Sequence, residues 1–221
     1  MPEDAFMIRL HYAPGNASLA PHLLLRELGQ PFELVLVDRE RNEQRSAAYL
    51  KLNPNGLIPV LTDGDLVLYE TAAILLHLAD RHPQAGLLPP LGSAARAEAY
   101  KWLCWLSSGL QVTMGRYFYP ERQLPPEFPE AIALLREQAE VRAGELLDIL
   151  DAEFARHGGP WVLGEQYSAV DPLAFMMCRW TRGLRRPARS LPHLGPYVQR
   201  MLERPATQSL WAAEGLQAPY V

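Results

Sequence analysis

The chain has 221 residues, of which 48% are hydrophobic and 21% charged, with a formal net charge of −4. That length and apolar content bury a real core, in one large domain or two small ones, and exclude intrinsic disorder. The weakly acidic balance excludes a whole-protein attraction to nucleic acid or an anionic membrane surface, so neither is expected as a partner. No apolar run approaches the length that spans a bilayer, and Met1-Pro2-Glu3-Asp4 is unlike the start of a secretory signal, so a cytoplasmic location is expected.

Taken in chain order, residues 6–12 alternate, with Ile8, Leu10 and Tyr12 on one side, and predict a strand. Residues 19–28 place Leu24, Leu25 and Leu28 at helical spacing, and Gly29 stops the helix. A β-rich run at 32–37 completes a βαβ unit, and 40–50 has helix-forming composition. Strands are predicted at 58–61 and 66–69, joined by a hairpin at Asp63-Gly64, with a helix at 72–82. The order β-α-β-α-β-β-α fits a mixed four-stranded sheet covered by helices. The segment 83–92, rich in proline and glycine, has linker composition. Everything beyond it predicts helix: 93–119, 127–157, 168–184, 194–203 and 206–214. The expected domains are therefore 1–83, α/β, and 93–221, all-α. Ser168-Ala169-Val170-Asp171 has the form of a capping box with Asp in the acid position, a structural helix start.

The most informative stretch is Asn53-Pro54-Asn55-Gly56-Leu57-Ile58-Pro59-Val60-Leu61, followed nine residues later by Glu70-Thr71-Ala72-Ala73-Ile74. A proline at position 59 cannot donate to a sheet ladder, so it belongs at an edge or a turn, is expected to be cis, and leaves the backbone groups of Ile58 available to a ligand. Glu70 and Thr71 open a helix, where free N–H groups and the dipole favour a bound carboxylate; the same two residues also fit ordinary N-terminal capping.

These motifs, with Tyr12-Ala13-Pro14-Gly15-Asn16-Ala17-Ser18-Leu19-Ala20-Pro21-His22, make the chain resemble the cytosolic glutathione S-transferase superfamily over nearly its whole length, nearest the bacterial beta-type members. The resemblance implies a thioredoxin-like N-terminal domain and an all-α C-terminal helical bundle that forms the second-substrate pocket. It implies glutathione as co-substrate, with no metal, and a likeness to homodimeric enzymes that detoxify a small electrophilic or hydrophobic second substrate. It assigns glutathione's cysteinyl backbone to Leu57, Ile58 and Pro59, and its γ-glutamyl end to Glu70 and Thr71. A thiol of pKa about 8.5 needs help to ionise at neutral pH, and a helix N-terminus or a hydroxyl hydrogen bond supplies it. Ser18, at the expected N-cap of the first helix, is the first candidate for that role and Tyr12 the second; the alternatives are that Ser18 only caps its helix and that Tyr12 is packed with its hydroxyl satisfied.

Beta-type members carry a cysteine where this chain has Ala17, which excludes a mixed disulfide with glutathione at that position. Their His-Lys pair aligns with Gln111 and Val112, so the corresponding base and cation are absent. These departures keep open a non-catalytic ligand-binding or interaction protein on the same fold, beside the transferase or hydroperoxide-reducing enzyme; a glutathione-dependent isomerase is a third possibility. Arg179, Arg182, Arg185, Arg186 and Arg189 form a basic cluster read first as a solvated helix end and second as an anion-binding wall. Arg116-Tyr117-Phe118-Tyr119-Pro120 is a candidate wall for an apolar pocket, with simple packing as the alternative. The only cysteines, Cys104 and Cys178, lie far apart in helical patterns and are expected to be buried and inert, and the six histidines have no metal-ligand spacing.

Overall fold

Alternation in the first run and leucine spacing in the second produce β1 (Ile8–Tyr12) and α1 (Leu19–Leu28), followed by β2 (Phe32–Leu36) and, after a short 3-10 turn, α2 (Ala47–Leu52). The hairpin β3 (Val60–Asp63) and β4 (Leu66–Tyr69) leads into α3 (Thr71–Arg81). The rest of the chain is helical: α4 (Ala94–Trp105), α5 (Val112–Phe118), α6 (Pro129–His157), α7 (Val170–Trp180), α8 (Leu194–Glu203) and α9 (Pro205–Glu214). The computed structural model describes residues 7–221; residue 6 of the first expected strand and Met1-Pro2-Glu3-Asp4 lie outside the described residues.

The four strands form one mixed sheet in the order β2-β1-β3-β4. β1 runs parallel to β2, with Ile8 opposite Phe32 and Tyr12 opposite Leu36, and antiparallel to β3, with His11 opposite Val60. β3 pairs antiparallel with β4 from Val60–Tyr69 to Asp63–Leu66, and Gly64 at φ +59 makes the tight turn that the sequence places there. Leu10, Val60 and Leu61 of the sheet, Leu19, Leu23, Leu24 and Leu25 of α1, and Ile74, Leu75 and Leu78 of α3 are fully buried. Each such side chain stabilises the fold by roughly 1.5–3 kcal/mol relative to exposure. Asp63, buried at the hairpin, accepts from His77 (3.1 Å) and Arg81 (3.0 Å) and thereby ties α3 to the β3–β4 turn.

Two compact units result, one running up to Leu88 together with Glu203–Ala218, the other comprising Pro89–Leu202 and Pro219–Val221. The expected helical domain 93–221 is therefore corrected at its end, because α9 belongs to the first unit. Leu210, Trp211 and Glu214 of α9 are buried, and Arg204, just before it, pairs bidentately with Glu27 of α1 (2.5 and 2.7 Å). In the second unit every residue of α7 from Val170 to Arg179 is buried. Its start is held by Asp171, whose carboxylate accepts from the N–H groups of Val162 (3.0 Å) and Ser168 (2.7 Å), while Ser168 Oγ accepts from Val170 N–H (3.3 Å).

Two further expectations change. The strand expected at 58–61 begins at Val60, because Ile58-Pro59 forms the turn that precedes the ladder. The continuous helix expected at 93–119 is interrupted by a π-helical stretch, Leu106–Gln111. There the hydroxyls of Ser107 and Ser108 donate to the carbonyls of Leu103 and Cys104 (2.8 Å each), an alternative use of helix carbonyls that hydroxyl side chains offer.

The two cysteines differ in a way the sequence does not show, since Cys104 is exposed and Cys178 buried. Burial pushes the Cys178 thiol up to about 12, so it holds no appreciable thiolate at neutral pH. A thiol reagent at pH 7.5 is expected to label one cysteine of the native chain, at Cys104, and the second only on unfolding, as peptide mapping by mass spectrometry reads directly.

Candidate active site

The pairing register brings most of the sequence-predicted site residues to one end of the sheet. His11 of β1 and Tyr69 of β4 both face Val60 at the start of β3. Tyr12, the last residue of β1, then stands at the same end of the sheet as Pro59 and Glu70, the residues next to β3 and β4 there. Strands about 5 Å apart place all three within the span of one small ligand. The first helix follows β1, and α3 starts at Thr71 directly after Glu70.

Ile58-Pro59 is cis, Ile58 lies outside the ladder, and its N–H donates to no group among the described residues. Leu57, beside it, exposes its side chain while its carbonyl accepts from the Tyr49 hydroxyl (3.0 Å) and the Asn53 amide (2.8 Å). Glu70 turns the chain from β4 into α3 at φ +76, a conformation that costs a non-glycine residue on the order of 1–3 kcal/mol and is concentrated at functional sites. Neither Glu70 nor Thr71 caps α3, so the capping alternative is not what the structure shows. By contrast, Ser46 caps α2 by accepting from Tyr49 N–H (3.2 Å), and Ser93 caps α4 by accepting from Arg96 N–H (3.1 Å). The first-turn N–H groups of α3 thus remain open at the positive end of its dipole, with the exposed Glu70 carboxylate beside them and Thr71 buried beneath.

Ser18 stands at the start of α1, but its side chain is not the helix cap that its position suggests. It is fully buried; Oγ accepts from Ala13 N–H (3.2 Å) and donates to Ala13 O (3.1 Å). A hydroxyl has one proton, and here it is committed to the turn between β1 and α1. Tyr12 is partly exposed, with its ring edge-on to His22 at 6.1 Å. Partial burial, and secondarily the charge of Glu214, raise its pKa, so it remains a protonated donor at neutral pH.

That turn is held from a distance by residues that sequence patterns did not single out. Glu214 of α9 accepts from Gly15 N–H (2.8 Å) and from His22 Nδ1 (2.7 Å), with both side chains fully buried. Arg26 Nε donates to His22 Nε2 (3.1 Å), which leaves the ring proton on Nδ1, facing Glu214. No local signal pairs residues so far apart. The Asn53-Pro54-Asn55-Gly56 turn was visible, but the grip of Asn53 on Leu57 was not.

Within the helical unit, Gln111 closes the π-helical stretch and Val112 is exposed. Phe118 meets Trp180 edge-on at 6.0 Å and Tyr117 at 5.4 Å, an aromatic surface at the end of α5. The basic cluster is largely paired. Arg185 meets Glu140 (3.2 Å), and Arg186 is bidentate to Asp148 (2.9 and 2.6 Å), whose carboxyl it holds below the usual range. Both pairs line a cavity of about 280 Å³ against α6. Arg179, buried, donates to the carbonyl of Tyr220. This is a set of ion pairs and chain contacts rather than an unbalanced anion-binding wall. Among the described residues no group of three or more His, Cys, Asp or Glu side chains is arranged to hold a metal ion, and no helix is long and apolar enough to cross a membrane.

The family model described as "Glutathione S-transferase, N-terminal domain" matches residues 17–81, and that described as "Glutathione S-transferase, C-terminal domain" matches residues 110–205. The chain is 32% identical over 212 residues to the glutathione S-transferase GstA of Escherichia coli O157:H7, covering 95% of this chain and all of that one. A glutathione transferase homologue from Sulfitobacter, solved with bound glutathione, superposes with a TM-score of 0.85 at 27% identity, covering 96% of this chain and 100% of that one. The beta-class glutathione S-transferase of Sphingomonas chungbukensis superposes with a TM-score of 0.80 at 31% identity, covering 95% and 100%. With its sheet, its helical unit and both halves matched, the chain belongs to the glutathione S-transferase family.

Proposed function

We propose that this protein is a glutathione transferase that conjugates glutathione to small electrophiles, with reduction of organic hydroperoxides as a second activity. The observation that carries it is that the open Ile58 amide, the uncapped N-terminus of α3 and residue Tyr12 stand at one end of the sheet. Glutathione's γ-glutamyl carboxylate takes the open amides of α3, where helix N–H groups and dipole favour an anion, and its ammonium pairs with Glu70. The cysteinyl carbonyl accepts from Ile58 N–H, with Leu57 and Pro59 flanking it. The thiol then lies before Tyr12 and the start of α1. A hydrogen bond from Tyr12 favours the thiolate, which attacks the electrophilic carbon; the C–S bond forms as the leaving group departs with its electron pair, and the thiol proton passes to solvent.

Ser18, in the arrangement observed, serves this reaction by holding the Ala13 turn beside Tyr12. The electrophile is assigned to the helical unit, whose Tyr117, Phe118 and Trp180 offer an aromatic surface to an apolar group. We also assign the protein to the cytoplasm and to a homodimer, on its likeness to the family. Ala17, Gln111 and Val112 favour a second reading, a family fold kept as a glutathione or apolar-ligand carrier without catalysis.

Calorimetric titration with glutathione, paired on the same sample with conjugation of an aryl halide and reduction of cumene hydroperoxide, separates these readings. Binding with turnover of either substrate is the expected result. Binding without any turnover favours the carrier, and absence of binding removes the site built on Ile58, Glu70 and Thr71.

A further inference from the structure

The backbone donor on which that site rests belongs to a peptide plane that the chain holds by side chains. Leu57 O accepts two hydrogen bonds, from Tyr49 Oη at 3.0 Å and from Asn53 Nδ2 at 2.8 Å. A carbonyl oxygen has two lone pairs, so both are engaged. Carbonyl and N–H of one trans peptide point in opposite directions within a rigid plane, and the N–H opposite Leu57 O is that of Ile58. Fixing the carbonyl inward against α2 therefore aims the Ile58 N–H outward.

Both donors are themselves set. Asn53 is buried, its Oδ1 accepts from Asn55 N–H (3.1 Å), and its carbonyl accepts from Gly56 N–H (2.9 Å), so its amide cannot flip without losing a bond. Tyr49 is buried among Ala13, Val37, Ile58 and Val60, with its ring edge-on to His11 at 6.1 Å. Burial raises its pKa, which keeps the hydroxyl a donor. Asn55 O is held in turn by Arg45 Nη1 at 3.1 Å, and Gly56, at φ +61, packs where a Cβ would lie 2.8 Å from that guanidinium. The segment 53–57 is thus over-determined by α2 and the turn before it, and its one outward consequence is the orientation of the next amide.

We propose that Tyr49 and Asn53 are positioning residues for the thiol peptide: together they clamp the Leu57 carbonyl so that the Ile58 amide is preorganised to donate to the ligand's cysteinyl carbonyl. This rests on the glutathione reading above. It makes part of the affinity depend on two side chains that touch no ligand, through the cost of ordering that a preformed donor avoids.

The test compares two ligands on three chains by calorimetry: wild type, Tyr49→Phe and Asn53→Ala. Glutathione has the cysteinyl carbonyl; γ-glutamylcysteamine keeps the γ-glutamyl end, the amide and the thiol but lacks that carbonyl. Each variant is expected to weaken glutathione about fivefold to tenfold, the size of one hydrogen bond, and to change γ-glutamylcysteamine by less than about twofold. Tyr49→Phe removes a single oxygen and keeps the ring, so it answers the question even where Asn53→Ala fails to fold. Equal weakening of both ligands would assign the two residues a general structural role and overturn the clamp, as would unchanged affinity for both. A wild-type chain that binds neither ligand overturns the glutathione reading, and the clamp with it, and is distinguished by the wild-type titration alone.

Discussion

Tyr12→Phe is expected to lower the turnover of glutathione conjugation at pH 7 by about 10²-fold, the scale of removing one donor from a developing or stabilised anion, while glutathione affinity stays within about twofold. The split follows from geometry. Tyr12 stands at the end of β1, which the proposed binding mode puts beside the thiol, whereas the proposed binding groups are the amides of Ile58 and the start of α3. A hydroxyl that stays protonated stabilises the thiolate and not the thiol, so its loss returns the thiol toward its ordinary pKa near 8.5–9. The rise of turnover with pH should therefore move about one to two units upward in the variant, and the deficit should narrow at pH 9. Ser18→Ala is the companion experiment. Because the Ser18 proton is given to Ala13 O, that variant should lose stability and only modest turnover. A pH profile unchanged by Tyr12→Phe but displaced by Ser18→Ala would hand the thiolate to Ser18; displacement by neither would leave it to the backbone amides of α1.

Glu214→Ala is expected to destabilise the first unit by about 3–5 kcal/mol. The carboxylate is fully buried and serves two partners distant in sequence, Gly15 N–H in the β1–α1 turn and His22 Nδ1 in α1. Its removal takes this carboxylate away from a part-buried amide and a buried imidazole, beside an Arg26 guanidinium whose partner ring is no longer held. For a protein of this size 1 kcal/mol moves the melting temperature by roughly 2–4 °C, so a fall of about 6–20 °C is expected in a thermal melt followed by circular dichroism. Arg9→Ala is the control: it breaks the exposed pair with Glu33 (2.7 Å) and should shift the melt by no more than about 1 kcal/mol. If Glu214→Ala melted with the wild type, the buried network would carry no stability. Turnover should fall as well, because Gly15, at φ +66, lies in the turn between Tyr12 and α1.

Elements whose signals are local were legible from the chain alone. Leucine spacing closed by a glycine predicts 19–28, and the helix is Leu19–Leu28, with Gly29 at φ +63; β-rich residues after a turn predict 66–69, and the strand is Leu66–Tyr69. Period, caps and turn residues act within a few positions, so a window of the sequence contains their cause. The π-helical stretch Leu106–Gln111 was less legible, because serine hydroxyls that take helix carbonyls compete with a helical pattern that is otherwise continuous.

What only the tertiary structure decided is which polar groups meet. Ser18 has the sequence position of a cap, yet its hydroxyl turns to Ala13; Glu70 and Thr71 have the composition of a cap, yet leave α3 open. Gly15 and Glu214 are 199 residues apart, and their contact exists because α9 packs with the first unit rather than with the helices that precede it. By itself the sequence determined most of the elements, their order and the family motifs, since each is written in residues a few positions apart. The direction of each hydroxyl, the partner of each buried charge and the aim of the Ile58 amide were decided by packing, since a polar side chain takes whichever partner folding brings near it once water is gone.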